Sequence, residues 1–391
     1  MRHVFLNGVG ASAGAGLTYL YNVIPRLSSE FRVQTTVALQ PQLRREFNRF
    51  PNVKVLDADV PAGIVRRFWF EQRKLPRLIR ASGSHILVSL GNFALRKSPV
   101  PQILLSGNSL YTSADFDVDL RRRREARMWL DTKLKATFAR RSVDWADCTV
   151  APSHAFAGEL NRWTGQPIMA IHHGFDPGTF FAEKATLPES ITQKLNVSAN
   201  CIKLLFVSHY NYYRNFETLF RAVAVLRKHC PDRPIRLFLT CTLQDHKTPG
   251  AYKTERARQE IDHLGIRREV IEVGAIPYRL LHSIYRACDL YVTAAYAETF
   301  AHPLVEAMAS GLPIVASDIE VHREVCGDEA LYFPRFSAES LADQVLTSLN
   351  RVRPSPREDV LRRFSWTRHL EEVLAIADRL LERPKTLGQA A

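Results

Sequence analysis

The chain has 391 residues, with 53 Lys and Arg against 40 Asp and Glu, a formal net charge of +13 and a hydrophobic content of 46%. That length exceeds one ordinary core and predicts two domains, while the composition excludes disordered, collagenous and disulfide-dense classes. There is no run of about 18 apolar residues, and the opening MRHVFLNGVG reaches glycine too soon for a signal peptide, so the expectation is a cytoplasmic protein.

The first stretch, HVFLNGVGASAGAGLTYLYNVIPRL, reads as a strand, a glycine turn and a helix with Leu17, Leu20, Tyr21 and Ile24 inward. Gly8, Gly10, Gly14 and Gly16 do not fall in GxGxxG spacing, which argues against a nicotinamide fingerprint. Short strands follow at about 33–38, 53–56, 85–88, 102–105 and 149–151, alternating with helical or loop segments, and this alternation predicts a doubly wound α/β domain. The strand QILLS runs into Gly107, Asn108 and Ser109.

The segment 117–143 reads as one long helix with Leu120, Ala126, Leu130, Leu134 and Phe138 on or near one face. Between Arg121 and Arg141 nine basic residues stand against Glu125 and Asp131, a local charge of +7. Such a face is either simply solvated, or rests on an anionic membrane, or receives an anionic acceptor; nucleic acid is disfavoured because no recognised module or interleaved aromatic pattern accompanies it. Trp129 and Trp145 suit an interface or a core. His172 and His173 have no acid or Cys spaced to join them, which favours a structural or acceptor-side role over metal binding. The cysteines at positions 148, 201, 230, 241, 288 and 326 show no CxxC and no paired His spacing, so neither disulfides nor zinc are expected.

The stretch 181–200 is polar and irregular and reads as a linker. A second strand, IKLLFVS, then leads through a loop holding Ser208, His209 and Arg214 into a helix with Phe216, Leu219, Phe220, Val223 and Leu226 inward. After the strand IRLFLTCT come a charged helix at 254–264, the strand REVIEV and a helix at 278–288. The segment 289–318 then forms a β, loop, α, β unit, with strands at 290–294 and 312–316 and a helix at about 303–310, since Pro303 suits a first helical position and Gly311 the position just past an end. In a parallel unit the ligand lies beyond the strand ends, at the helix N-terminus. Glu298 in the loop and Glu306 in the first helical turn could each accept hydrogen bonds from hydroxyls. A ribose diol and a sugar joined by a diphosphate would use all three features.

The run DLYVTAAYAETFAHPLVEAMASGLPIVASD resembles the donor-binding segment of glycosyltransferase family 4, a retaining, nucleotide-sugar-dependent family. The resemblance implies a GT-B α/β fold, two Rossmann-like doubly wound domains facing a central cleft. It divides the chain into an acceptor domain at 1–180, the linker at 181–200 and a donor domain at 201–374. Residues 375–391 would be a helix end and tail, packed toward the first domain or disordered. Pro152, Ser153, Gly174, Phe175, Asp176 and Phe180 match the family pattern, as do the stretch 320–328 and the run RRFSWTRHLEEVL, whose helix usually crosses back onto the first domain.

Roles follow by the same resemblance. Glu306 would hold the ribose and Glu298 the donor-sugar hydroxyls, with backbone groups of Thr299, Phe300 and Ala301 beside the donor. Gly14 and Gly16 would face the diphosphate, and backbone near Ala275 and Ile276 would pack on the base. Arg214 stands where the family has Lys, a planar fork in exchange for a point charge on the diphosphate. Catalysis would rest on Glu298, Arg214 and Asn108. The departures are Thr299 and Ala301 in place of glycines, Ser208 and His209 in place of a Gly-Arg pair, and Asn108 where a His is common. By the same resemblance, no metal and no cofactor are expected. The implied partners are a nucleotide-diphosphate sugar and a glycan or lipid-linked acceptor in cell-surface polysaccharide or glycolipid synthesis, with attachment to the inner face of an anionic membrane as an added reading. The alternative is a non-catalytic sugar-nucleotide-binding subunit of a glycosylation complex.

Overall fold

The computed structural model describes residues 2–11, 15–58, 60, 64–182, 186–245, 252–356 and 358–382. The chain divides into two compact units: unit 1 draws on 1–112, 129–174 and 365–391, and unit 2 on 113–128 and 175–364.

Unit 1 holds a seven-stranded sheet of β1 (His3–Asn7), β2 (Gln34–Leu39), β3 (Val53–Asp57), β4 (Ile86–Leu90), β5 (Gln102–Leu105), β6 (Cys148–Ala151) and β7 (Met169–Ala170). The order is β3-β2-β1-β4-β5-β6-β7, and every pairing is parallel. β1 and β4 are buried along their whole length, as expected of strands covered on both faces. Strand order reverses between β1 and β4, which makes their carboxyl ends the crevice of this unit.

The C-terminal helix Trp366–Glu382 packs on unit 1, as the Phe-Ser-Trp resemblance implies. Its stripe of Leu370, Val373, Leu374, Ala377 and Leu380 joins Leu20, Val23, Ile24 and Leu27 of the helix Ala15–Ser29 in one buried cluster. Each such side chain contributes about 1.5–3 kcal/mol of burial free energy. The expected boundary at 374 therefore lies inside a helix, and the division falls at 364/365 instead. His172 and His173 serve this packing: the His172 carbonyl lies 2.9 Å from His369 Nδ1, and the His173 ring stacks on Trp366 at 5.4 Å.

Unit 2 holds six parallel strands, β8 (Ile202–Phe206), β9 (Ile235–Leu239), β10 (Val270–Glu272), β11 (Leu290–Thr293), β12 (Ile314–Ser317) and β13 (Ala330–Phe333). They run in the order β10-β9-β8-β11-β12-β13, reversing between β8 and β11. The helix Phe216–His229 buries Phe216, Leu219, Phe220, Val223 and Leu226, the face its periodicity predicts. Within the expected irregular linker, Glu189–Val197 is helical, its polar face leaving only Ile191 to bury.

The single helix expected over 117–143 is two, Ala114–Arg122 and Ala126–Trp145. Arg124 takes φ +58, and the amides of Arg124 and Glu125 reach back to the carbonyls of Arg121 and Leu120, a Schellman closure without glycine. Unit 2 takes the first helix, and residues 129–145 of the second belong to unit 1. Cys201, Cys241, Cys288 and Cys326 are buried, as small apolar core residues are.

Candidate functional site

In unit 2 the two strands at the reversal, β8 and β11, each release a loop at their carboxyl ends. The β8 loop is shaped by its own side chains. Asn211 Oδ1 accepts from the Arg214 amide at 3.1 Å, Asn215 is left-handed at φ +55, and the helix Phe216–His229 starts immediately after. This fixes Arg214 at the helix entrance, its guanidinium 5.3 Å from the Tyr213 ring centre. The β11 loop carries Glu298, and Arg214 Nη1 donates to its Oε2. Glu298 Oε1 accepts from the Thr299 amide at 3.0 Å. Burial would raise the Glu298 carboxyl, but the Arg214 charge and the Thr299 amide outweigh it and hold the pKa below the usual value. The pair is thus ionised, largely enclosed and held in one geometry, while Arg214 Nε is buried with no acceptor among the described residues and remains an unused donor.

Ala301 closes the loop in the left-handed region at φ +63 and precedes the helix His302–Ala309. Ala301 stands where the resemblance implies a glycine and nevertheless adopts the left-handed conformation, at a cost of about 1–2 kcal/mol. One turn in, Glu306 is only 4% exposed, and the fully buried Tyr285 hydroxyl donates to its Oε2 at 2.8 Å. Burial pushes the Glu306 carboxyl up to about 7, against the pull of that hydrogen bond. Glu298 and Glu306 therefore differ sharply: one is a fixed anion, the other titrates near neutrality.

His322, fully buried, completes the surroundings. Its Nδ1 lies 2.9 Å from the Ser317 carbonyl, which places the proton there and leaves Nε2 a bare acceptor without a partner. Burial lowers its pKa to about 4, as it does for His302, so both rings are neutral.

The other expected residues are placed as follows. Ser208 donates its amide to Thr240 Oγ1 at 3.0 Å, and His209 beside it is held neutral by burial and by the Arg214 charge. Phe300 is fully buried, and its ring meets His302 at 4.9 Å. Ala275 and Ile276 follow β10, the sheet edge two strands from β8. Asn108 and Gly16 lie in unit 1. Asn108 Oδ1 accepts from the Leu110 amide at 3.1 Å, capping a turn, and Gly16 packs so that a Cβ would lie 3.2 Å from Ala11 Cβ. Gly14 lies outside the described residues. Tyr285 and His322 were not singled out from sequence, because a tyrosine inside an apolar helical stripe and a histidine after a strand look like ordinary core.

Residues 189–357 match the family model of the glycosyl transferases group 1. This stretch of unit 2 is similar to the group 1 glycosyl transferases. D-inositol 3-phosphate glycosyltransferase of Corynebacterium aurimucosum is 25% identical over 250 residues, 60% of this chain and 58% of that protein. Mannosylfructose-phosphate synthase of Agrobacterium fabrum is 23% identical over 222 residues, 54% and 47%. The chain spans about half the length of the relatives it matches. Among solved structures, sucrose-phosphate synthase from Thermosynechococcus elongatus superposes with TM-score 0.75 over 97% of this chain and 99% of that one, at 17% identity. Anabaena HepE in complex with UDP-glucose superposes with TM-score 0.64 at 16% identity, over 98% and 99%. The fold is GT-B, two Rossmann-like α/β units. Within the matched stretch, Arg214, Glu298 and Glu306 lie at the carboxyl ends of the strands at the reversal.

Proposed function

We propose that the chain is a retaining, metal-independent glycosyltransferase that moves a sugar from a nucleotide-diphosphate donor to a hydroxyl of a glycan or lipid-linked acceptor. The observation that carries this reading is the pair of unlike carboxylates at the reversal of unit 2, one bound to Arg214 and one set a turn into the helix His302–Ala309, just past the first turn expected for it. The helix N-terminus and the remaining Arg214 donors offer an electropositive seat for a diphosphate. Stabilising the charge that grows on that leaving group is the step these residues perform, usually the largest single contribution to such a rate. Glu306 accepts from the ribose, Glu298 from the donor sugar, and the departing phosphate takes the acceptor proton on the face of attack. The HepE complexes with UDP and UDP-glucose support a uridine donor.

The second reading, a non-catalytic binding subunit, is favoured by Asn108, whose side-chain oxygen is engaged in a turn where the family carries a histidine. Thermal unfolding against UDP-, GDP- and ADP-sugars tests the shared part of both readings, because a ligand at a hundred times its Kd stabilises by about 2.7 kcal/mol. One nucleotide series should raise the melting temperature; no response to any of them contradicts both.

The proposal places the protein on an anionic inner membrane face. The supporting surface is broader than the basic stretch from which it is expected. The helix Ile64–Ser82 exposes Arg66, Arg73, Lys74, Arg77 and Arg80 with a half-exposed Trp69, and its one acid, Glu71, is buried. Phe68 packs on Phe138 at 4.8 Å, so the helix Ala126–Trp145, with exposed Leu130 and Leu134, lies alongside.

A further inference from the structure

Arg67 stands out in unit 1 because its side chain is mostly buried and its donors are only partly used. Its Nε donates to Glu71 Oε1 at 2.7 Å, one helical turn on, and Glu71 is 2% exposed. Its Nη2 is shut from solvent and has no acceptor among the described residues. A buried guanidinium donor without an acceptor is destabilising, and a neutral side chain of similar length would avoid that cost.

The position gives the charge a purpose. A Cβ at Gly10, in the turn after β1, would lie 2.1 Å from Nη2 and 2.5 Å from Cζ and Nη1, so the guanidinium rests directly on that glycine. A Cβ at Gly91, immediately after β4 and at φ +87, would lie 3.9 Å from the same Nη2. The unspent donor therefore sits between the carboxyl ends of β1 and β4, where the sheet order of unit 1 reverses and an α/β unit receives its ligand. On the next strand, a Cβ at Gly107 would meet nothing within 4 Å, and the Gly107 amide is held by Asn92 Oδ1 at 2.8 Å. Three adjacent strand ends thus each present a glycine backbone. Phe93 lies beneath the guanidinium, its ring centre 5.8 Å from Cζ, and Gln72 pins the chain beyond it, donating to the Ala94 carbonyl and accepting from the Arg96 amide.

We propose that Arg67 selects the acceptor by binding an oxyanion on it, a phosphate or a carboxylate, at the carboxyl ends of β1 and β4, with Glu71 as the positioning residue that aims the fork. The inference rests on the glycosyl-transfer reading and adds the acceptor class, an anionic saccharide or glycolipid head. Guanidinium suits this role because its planar donors match such oxygens in pairs.

Unfolding temperatures and Kd values are measured on the full chain with UDP, inorganic phosphate, a hexose 6-phosphate, a hexuronate and the neutral hexose, at constant ionic strength. The proteins compared are wild type, Arg67→Lys and the neutral pair Arg67→Gln with Glu71→Gln, which leaves no unpaired buried carboxylate. The expected result is that an anionic sugar binds wild type better than the neutral hexose. That preference should fall about 10- to 100-fold in the neutral pair and partly return in Arg67→Lys, while UDP affinity stays unchanged. Anionic sugars acting no better than neutral hexose on wild type, or equally on the neutral pair, overturn the proposal. So does a loss of UDP binding in the neutral pair, which would assign Arg67 to the donor diphosphate. Inorganic phosphate alone reproducing the full effect reduces the site to a free-phosphate site and overturns acceptor selection. A wild type that ignores UDP counts against the transfer reading itself, whatever Arg67 does.

Discussion

Glu306 concentrates the chemistry of the site in one side chain. Because burial raises its folded pKa to about 7 from its ordinary value of 4.5, it binds a proton in the native state over a range where the unfolded chain has released it. Stability should therefore be greatest below about pH 4.5 as far as this group is concerned and should fall as pH rises toward 7, by about 3 kcal/mol in all. Glu306→Gln should flatten that decline in a series of denaturant melts between pH 5 and 8; a variant that keeps the wild-type slope would refute the assignment. The nucleotide should act in the opposite sense, since ribose hydroxyls donate to the ionised form. UDP affinity of wild type is expected to rise with pH through about 7, and that of Glu306→Gln to be about tenfold weaker and insensitive to pH. The two acids were legible in the sequence through the β, loop, α, β pattern around them. Their contrast was not, because it is set by Arg214, 84 residues from Glu298 in sequence, and by Tyr285, 21 from Glu306, contacts that periodicity does not encode.

Elements were read most faithfully where a single period ran uninterrupted. The strand at 102–105 matches β5, and the inward face of the helix Phe216–His229 is the one its apolar spacing names. The reading failed at the basic segment because the stop signal is absent: residues 121–124 are four arginines, good helix formers, yet the helix closes with Arg124 left-handed. What ends it is tertiary. Arg123 is held by Asp119 at 2.8 Å and by Glu217 at 2.7 Å, which fixes the first helix in unit 2. A left-handed arginine pays a steric cost that glycine does not, so Arg124→Gly should stabilise the protein by about 0.5–1 kcal/mol, read as a higher urea midpoint at unchanged slope. Destabilisation would mean that the arginine side chain, not the turn, matters there.

At the scale of the whole molecule, the net charge of +13 was readable at once, but its deployment was not. The sequence directs attention to 121–141, whereas the structure adds the helix Ile64–Ser82, whose one acid, Glu71, is buried and paired with Arg67. Each exposed Lys or Arg near an anionic bilayer contributes about 1 kcal/mol, an attraction that weakens with salt. Sedimentation with anionic vesicles should therefore fall when Arg73, Lys74, Arg77 and Arg80 are changed to Gln, and should fall again between about 0.1 and 1 M salt; equal binding to neutral vesicles would refute membrane attachment through this face. The most direct test of the central claim is release of nucleoside diphosphate from the sugar nucleotide that stabilises the protein, followed in wild type and Arg214→Ala. Wild type should release it, slowly to water or faster to an acceptor, and Arg214→Ala should do so about 10² times more slowly. Donor binding without any release, or release that does not depend on Arg214, would contradict the catalytic account.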